Sequence, residues 1–264
     1  MTLELPPLGL GTSGMDDPEE CRKTVKAALE MGYRHIDTAQ MYDNERPVGE
    51  GIRDSDIDRS DVVLATKVHP DNLAYEDVIE TTQESLDRLG VETVELLYVH
   101  WPMHAYEPKE TLRAMDELVS EGVTRHVGLS NFTPKLLDEA RELLDFPIAA
   151  HQVECHPLLP QDELRAYARE HGHPLVAYCP LGRASITHPV LEDIATKHQV
   201  SVPTVCLAWC LSQPGVVPIP KATGEHVREN WETTNVELDE TDIERIAGID
   251  ERERLINPDD AAWN

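Results

Sequence analysis

Lysine is scarce in this chain, with seven in 264 residues; Lys and Arg together number 23 against 50 acidic side chains, a formal charge of −27. That deficit argues against a nucleic acid partner and against an anionic membrane face, both of which reward Lys and Arg. No apolar stretch approaches the roughly 18 residues of a spanning helix. The opening Met1-Thr-Leu-Glu-Leu-Pro lacks the basic and apolar regions of a secretory signal, so none is expected. The five cysteines are odd in number and contain no C-x-x-C, which points to reduced thiols and a cytoplasmic location.

Two readings of the acidity stay open, a cationic partner and a surface adapted to high salt. Acidic residues are scattered over nearly every helical segment, whereas a partner site would cluster them. The salt-adapted surface is therefore the expectation. Self-repulsion at this charge becomes tolerable once salt shortens the Debye length to about 3 Å at 1 M.

What is present is an alternation of short apolar runs with longer amphipathic ones. Leu8–Thr12, Arg34–Thr38, Val62–Lys67, Leu96–His100, His126–Ser130, Ala149–Val153, Leu175–Tyr178 and Val216–Pro220 read as strands buried on both faces. Pro18–Met31, Tyr75–Leu89, Pro108–Glu121, Pro134–Leu144 and Asp162–His171 read as helices, several opening with Pro or an acid and stopping near Gly. The longest gap, Tyr178 to Lys221, has room for helices near Pro189–His198 and Pro203–Ser212, and Thr223–Trp231 and Asp239–Ile249 follow. With no linker-like break, the pattern predicts an α/β fold of one domain over residues 1–264, a closed (β/α)8 TIM barrel.

A rival sits at the N-terminus. Gly9, Gly11 and Gly14 fit G-x-G-x-x-G, and Asp37 ends a strand downstream, the outline of a dinucleotide-binding βαβ unit. Yet Met15-Asp-Asp-Pro18 follows the third glycine, and places two carboxylates where phosphate oxygens would sit. The barrel reading prevails.

In such barrels the functional residues occupy the C-terminal ends of the strands. Here those ends are Thr12, Asp37, Lys67, His100, Ser130 with Asn131, Gln152, Tyr178 and Lys221, a polar or aromatic residue every time. Asp, Lys, His and the nearby Tyr42 suggest proton transfer. A tyrosine is a poor acid at its ordinary pKa of about 10; an adjacent ammonium lowers it, and an aspartate keeps that ammonium charged. A neutral histidine can align a substrate oxygen, so the set suits protonation of an oxyanion as a carbonyl is reduced.

The run from Gly32 to Gly49, which contains Ile-Asp37-Thr-Ala-Gln-Met-Tyr42-Asp-Asn-Glu45, resembles the signature of the aldo-keto reductases. Leu97-Tyr-Val-His100-Trp101-Pro102, Gly128-Leu-Ser130-Asn131-Phe132, the strand ending in Lys67 and Val217-Pro-Ile-Pro-Lys221 resemble further family motifs, in the family's order from about Leu8 to Asp250. The short loops are similar to those of compact microbial members such as the diketogluconate reductases. The resemblance implies an NAD(P)H-dependent reductase of aldehydes and ketones with Tyr42 as general acid, Lys67 its partner, Asp37 paired with Lys67, and His100 orienting the carbonyl. It implies that Ser130, Asn131 and Gln152 hold the nicotinamide carboxamide and that Tyr178 stacks on the ring. Thr12, Leu181 and Gly182 would lie along the cofactor, Lys221 at the 2′-phosphate with Thr223 in partial place of a serine this chain lacks, Glu229 and Asn230 at adenine, and Trp101 in the substrate pocket.

Departures fall at the phosphate end. Ala222 follows Lys221 where the family has serine, and His226 takes the place of an arginine, with Arg228 two residues on. Imidazole cannot make the bidentate, permanently charged contact of guanidinium, so NADPH is expected with NADH as a second cofactor. Ser13 replaces an aromatic of many members and predicts an open, polar pocket mouth. No metal is expected: Glu154-Cys155-His156 reads as ordinary strand-end residues, and Cys206 and Cys210 as core. The alternatives are a nucleotide-binding regulatory or redox-sensing barrel with little turnover, and a metal-assisted hydrolase using Asp37, His100 and His156. With no sustained heptad or long edge strand, a monomer is the expected state.

Overall fold

The computed structural model describes residues 3–264; Met1 and Thr2, the start of the N-terminal segment read above, lie outside the described residues. Eight parallel strands follow one another in chain order: β1 (Leu10–Gly11), β2 (His35–Asp37), β3 (Val63–Val68), β4 (Leu96–Val99), β5 (Val127–Ser130), β6 (Ile148–Glu154), β7 (Leu175–Tyr178) and β8 (Val216–Pro218). The last strand returns to the first. Gly9 N donates to Pro218 O at 3.0 Å and Gly11 N to Pro220 O at 3.1 Å, and these bonds close the (β/α)8 barrel. Gly11 has to be glycine, because a Cβ there would stand 2.6 Å from the Ile219 carbonyl oxygen. The glycine run is thus part of a barrel seam rather than a phosphate loop, and the first helix begins only at Pro18.

The helices are α1 (Pro18–Met31), α2 (Glu45–Asp54), α3 (Tyr75–Leu89), α4 (Pro108–Ser120), α5 (Pro134–Leu143), α6 (Asp162–His171), α7 (Pro189–His198), α8 (Val202–Ser212), α9 (Glu225–Glu232) and α10 (Glu240–Ala247). Acids occupy first turns around the ring, such as Glu19 and Glu20 of α1, Glu76 and Asp77 of α3, and Asp162 and Glu163 of α6. There they complement the positive ends of the helix dipoles. The excess negative charge is therefore distributed around the barrel.

Periodicity did not single out α2, which carries Pro47, Gly49 and Gly51, poor helix formers all. Packing overrides propensity. A Cβ on Gly49 would stand 1.9 Å from the carbonyl oxygen of Leu89, the last residue of α3. Gly49→Ala is expected to cost ~3 kcal/mol or more, the upper end of overpacking, because the obstructing atom is backbone. Urea unfolding measures it, and a loss below about 1 kcal/mol would mean that α3 moves aside freely.

Alternate strand residues point inward. Leu96, Ala150, Val176 and Val217 fill the barrel floor, with Leu3 and Leu5 packed against them. His35, the first residue of β2, is fully buried with neither ring nitrogen partnered among the described residues. Burial lowers its pKa to about 4, and that of His151 on β6 to about 3. Unfolding restores the ordinary value of about 6.5, so the unfolded chain binds more protons below that pH. Stability therefore falls as pH drops from about 6.5 toward 4. At ~1.4 kcal/mol per tenfold change in proton affinity, the two groups remove several kcal/mol; a melting temperature unchanged between about pH 6.5 and 4.5 would refute this.

Candidate active site

The C-terminal strand ends converge on a buried ion pair. Lys67 of β3 is fully buried; its Nζ donates to Asp37 Oδ1 at 2.5 Å, to the Thr38 carbonyl at 2.7 Å and to the Tyr42 hydroxyl at 3.4 Å. The second Asp37 oxygen accepts from Gln152 Nε2 at 2.8 Å. Burial alone would lower the Lys67 pKa, but Asp37 and Tyr42 hold it above its ordinary value. Sequence reasoning expected Lys67 to lower the Tyr42 pKa. Lys67 does lower it, but burial raises it further, so the net pKa stands above the ordinary value.

Tyr42 does not stand on a strand. It closes a short turn, Gln40–Tyr42, after β2, and polar side chains that the sequence reading gave no role fasten this turn. Asn44 Nδ2 donates to the Thr12 carbonyl at 2.8 Å, and its Oδ1 accepts from Thr38 Oγ1 at 2.8 Å. Glu45 accepts from Thr66 Oγ1 at 2.6 Å and from Arg88 Nε at 2.7 Å. Gln40 accepts from His69 N at 2.8 Å. A dense polar stretch reads as a loop in sequence; only the contacts show Asn44 and Glu45 to be buried.

The His100 ring lies edge-on to Tyr42 with centroids 5.7 Å apart. Burial foremost, then the charges of Lys67 and His69, push its pKa well below the ordinary value, so the imidazole is neutral at physiological pH. Asn131, in the left-handed region at φ 64°, donates to the His100 carbonyl and to Ser130 Oγ, both at 3.0 Å, and accepts from the Tyr178 hydroxyl at 2.9 Å. That chain of bonds fixes the position of the Tyr178 hydroxyl.

These groups face a cavity of about 840 Å³ that runs from the barrel mouth to α9. Thr12, Asp37, Tyr42, His100, Trp101, Asn131, Gln152, Tyr178, Leu181, Lys221, Thr223, Glu229 and Asn230 line it. Lys67, Ser130 and Gly182 do not; they stand behind the wall, Lys67 and Ser130 bonded to residues that form it. At the α9 end His226 lines the cavity and pairs with Glu229 at 2.6 Å, while Arg228 is not part of the lining. A second concavity, about 510 Å³, lies beside Tyr42, where Ser13, Asp16 and Asp43 stand with Met15, Met41 and Pro47. Ser201 and Thr204 near α8, to which the sequence reading gave no role, join the wall, and the tail after α10 brings in Ile256. Trp263 of the same tail lies 5.5 Å from the Trp101 ring. His156 bonds Glu154 rather than lining the cavity, and among the described residues no group of three His, Cys, Asp or Glu is arranged to hold a metal.

Residues 7–251 match the model described as the aldo/keto reductase family. The chain belongs to that family. It is 38% identical over 261 residues to the glyoxal reductase of Bacillus subtilis (strain 168), covering 98% of this chain and 94% of the relative. It is 36% identical to methylglyoxal reductase DkgB of Escherichia coli O157:H7, covering 98% of each. The solved Bombyx mori aldo-keto reductase in complex with NADP superposes with a TM-score of 0.86 at 27% identity, covering 96% of this chain and 92% of that one. This aldo/keto reductase is thus a nicotinamide-dependent oxidoreductase that reduces small carbonyl compounds, and nothing favours the regulatory barrel. The site fits the cofactor: Asn230 Nδ2, buried at the α9 end of the long cavity, has no partner among the described residues. Among the described residues no helix is long and apolar enough to cross a membrane.

Proposed function

We propose that this reductase protonates the substrate oxygen from Tyr42, and the observation that carries the reading is the buried Asp37–Lys67–Tyr42 chain at the head of the cavity. The cofactor, when bound, supplies a hydride to the carbonyl carbon. Tyr42 donates its proton as charge develops on the oxygen, the Lys67 ammonium stabilises the phenolate left behind, and Asp37 keeps that ammonium charged. Neutral His100 aligns the carbonyl oxygen, and Trp101 forms part of the pocket wall. Toward the cofactor, Asn131 and Gln152 hold the carboxamide end, Ser130 supports Asn131 from behind the wall, and Tyr178 offers its ring. Thr12 and Leu181 follow the dinucleotide with Gly182 behind Leu181, and Glu229 with Asn230 receive adenine.

NADPH is the proposed cofactor with NADH also accepted. Lys221 and Thr223 remain for the 2′-phosphate, but His226 is already tied to Glu229, a carboxylate that repels phosphate. A fluorescence titration in molar salt is expected to give NADPH and NADH affinities within about tenfold of each other, since a lysine point charge replaces a bidentate guanidinium. An NADPH preference of about a hundredfold or more would restore a strong phosphate site, and binding of neither would remove the cofactor assignments. The names of the relatives make glyoxal and methylglyoxal the first substrates to try. Residues 1–264 are proposed to act as one domain, a cytoplasmic monomer with a salt-adapted surface. Equal stability in dilute buffer and molar salt would overturn the last point.

A further inference from the structure

Glu154, two residues beyond Gln152 at the end of β6, has no part in the proton chemistry, yet it is fully buried. Its carboxylate accepts from Leu255 N at 2.7 Å on Oε1 and from Ile256 N at 2.8 Å on Oε2. His156 Nε2 lies 3.0 Å from Oε1. The two amides belong to the tail, more than a hundred positions later in the chain. Hydrogen bonds to a carboxylate are roughly twice as strong as neutral ones, and backbone donors carry no side-chain freedom. A bidentate grip on two consecutive amides therefore sets the path of the main chain itself.

That path leads into the cavity. Ile256 lines it, and farther along the tail Trp263 packs at 5.5 Å from Trp101, with the Arg254 guanidinium 4.1 Å from its ring. Glu253 N also donates to the carbonyl of buried Leu158 at 3.0 Å, while the side-chain pairs of the tail are more exposed. Glu251 meets His188 at 3.0 Å with 74% of its side chain accessible, and Asp260 meets His104 at 2.9 Å with 54% accessible. Salt screens such pairs, whereas a buried contact is screened far less.

We infer that Glu154 is a positioning residue for substrate binding: it holds the tail at Leu255 and Ile256 so that Ile256 completes the wall of the cavity containing Tyr42 and His100, and Trp263 backs the Trp101 ring. The inference rests on that cavity being the carbonyl site. Sequence alone hid this role, because Glu154-Cys155-His156 looks like a plain strand end and the donors are backbone atoms of a distant segment.

The test is Glu154→Gln in the full chain with nucleotide bound and glyoxal as probe, since the amide presents an NH2 to one of the two N–H donors. The expected result is a rise in KM of roughly tenfold, as for loss of one charged hydrogen bond. The same variant should show kcat and nucleotide affinity within about twofold of the parent, because a change confined to substrate binding leaves the later steps alone. Hydrogen exchange should show the Leu255 and Ile256 amides losing protection while strand amides keep theirs. Glu154→Asp, with its carboxylate one carbon short, should give an intermediate KM, and it carries the same readouts where Glu154→Gln fails to fold. An unchanged KM, unchanged protection of the two amides, or an equal fall in kcat and nucleotide affinity would each overturn the inference. Were the parent to reduce no carbonyl, the reading of the cavity would fail, and amide exchange would still decide whether Glu154 holds the tail.

Discussion

Tyr42→Phe is expected to lower kcat by about 10³-fold, within the range usual for loss of a general acid, while nucleotide affinity stays unchanged. The phenol is buried and its pKa stands above the ordinary value, so it is protonated and able to donate across physiological pH. Lys67, 3.4 Å away, makes giving up that proton less costly as the phenolate forms. Phenylalanine keeps the ring and its edge contact with His100 and removes only the hydroxyl. Lys67 retains its bonds to Asp37 and to the Thr38 carbonyl, so the fold should survive. Single-turnover kinetics with saturating nucleotide separate the chemical step from binding. A loss smaller than about tenfold would take the proton-donor role from Tyr42.

Lys67→Met should abolish measurable turnover and also destabilise the barrel by ~3–5 kcal/mol, the usual cost of leaving one member of a buried ion pair without its counterion. Methionine matches the lysine stem in length, so little packing is lost. What remains is a buried Asp37 carboxylate whose only side-chain donor among the described residues is Gln152 Nε2 at 2.8 Å. Adding Asp37→Asn to Lys67→Met should recover much of the stability without restoring activity, because the orphaned charge is gone and the proton machinery stays broken. Urea unfolding of the two single variants and the double variant closes the cycle. A cost below about 1 kcal/mol for Lys67→Met would show that water or protonation satisfies Asp37, and that the pair serves chemistry alone.

Strand ends and the central ion pair were legible in the sequence for a physical reason. A strand buried on both faces must be continuously apolar, so Val63–Val68 and Leu96–Val99 announce themselves, and the residues where each run turns polar mark one rim of the barrel. Asp37, Lys67 and His100 follow from that local pattern alone. Tyr42 needed the longer motif, since it sits on a turn whose geometry no periodicity reports.

The sequence by itself determined the alternation of buried runs and amphipathic helices, and through it the barrel and the rim where Asp37, Lys67 and His100 stand, because hydrophobic period and chain order are local properties. The tertiary structure alone decided the rest. It made α2 a helix despite two glycines, since a backbone approach at Leu89 rather than propensity selects glycine there. Asn44 and Glu45 became fasteners of the Tyr42 turn, the net direction of the Tyr42 pKa was set by burial, and the Glu154 carboxylate came to accept from two amides of the tail. Each of these depends on which polar groups are removed from water and on partners that lie tens to a hundred positions away, and neither quantity is written in the local pattern.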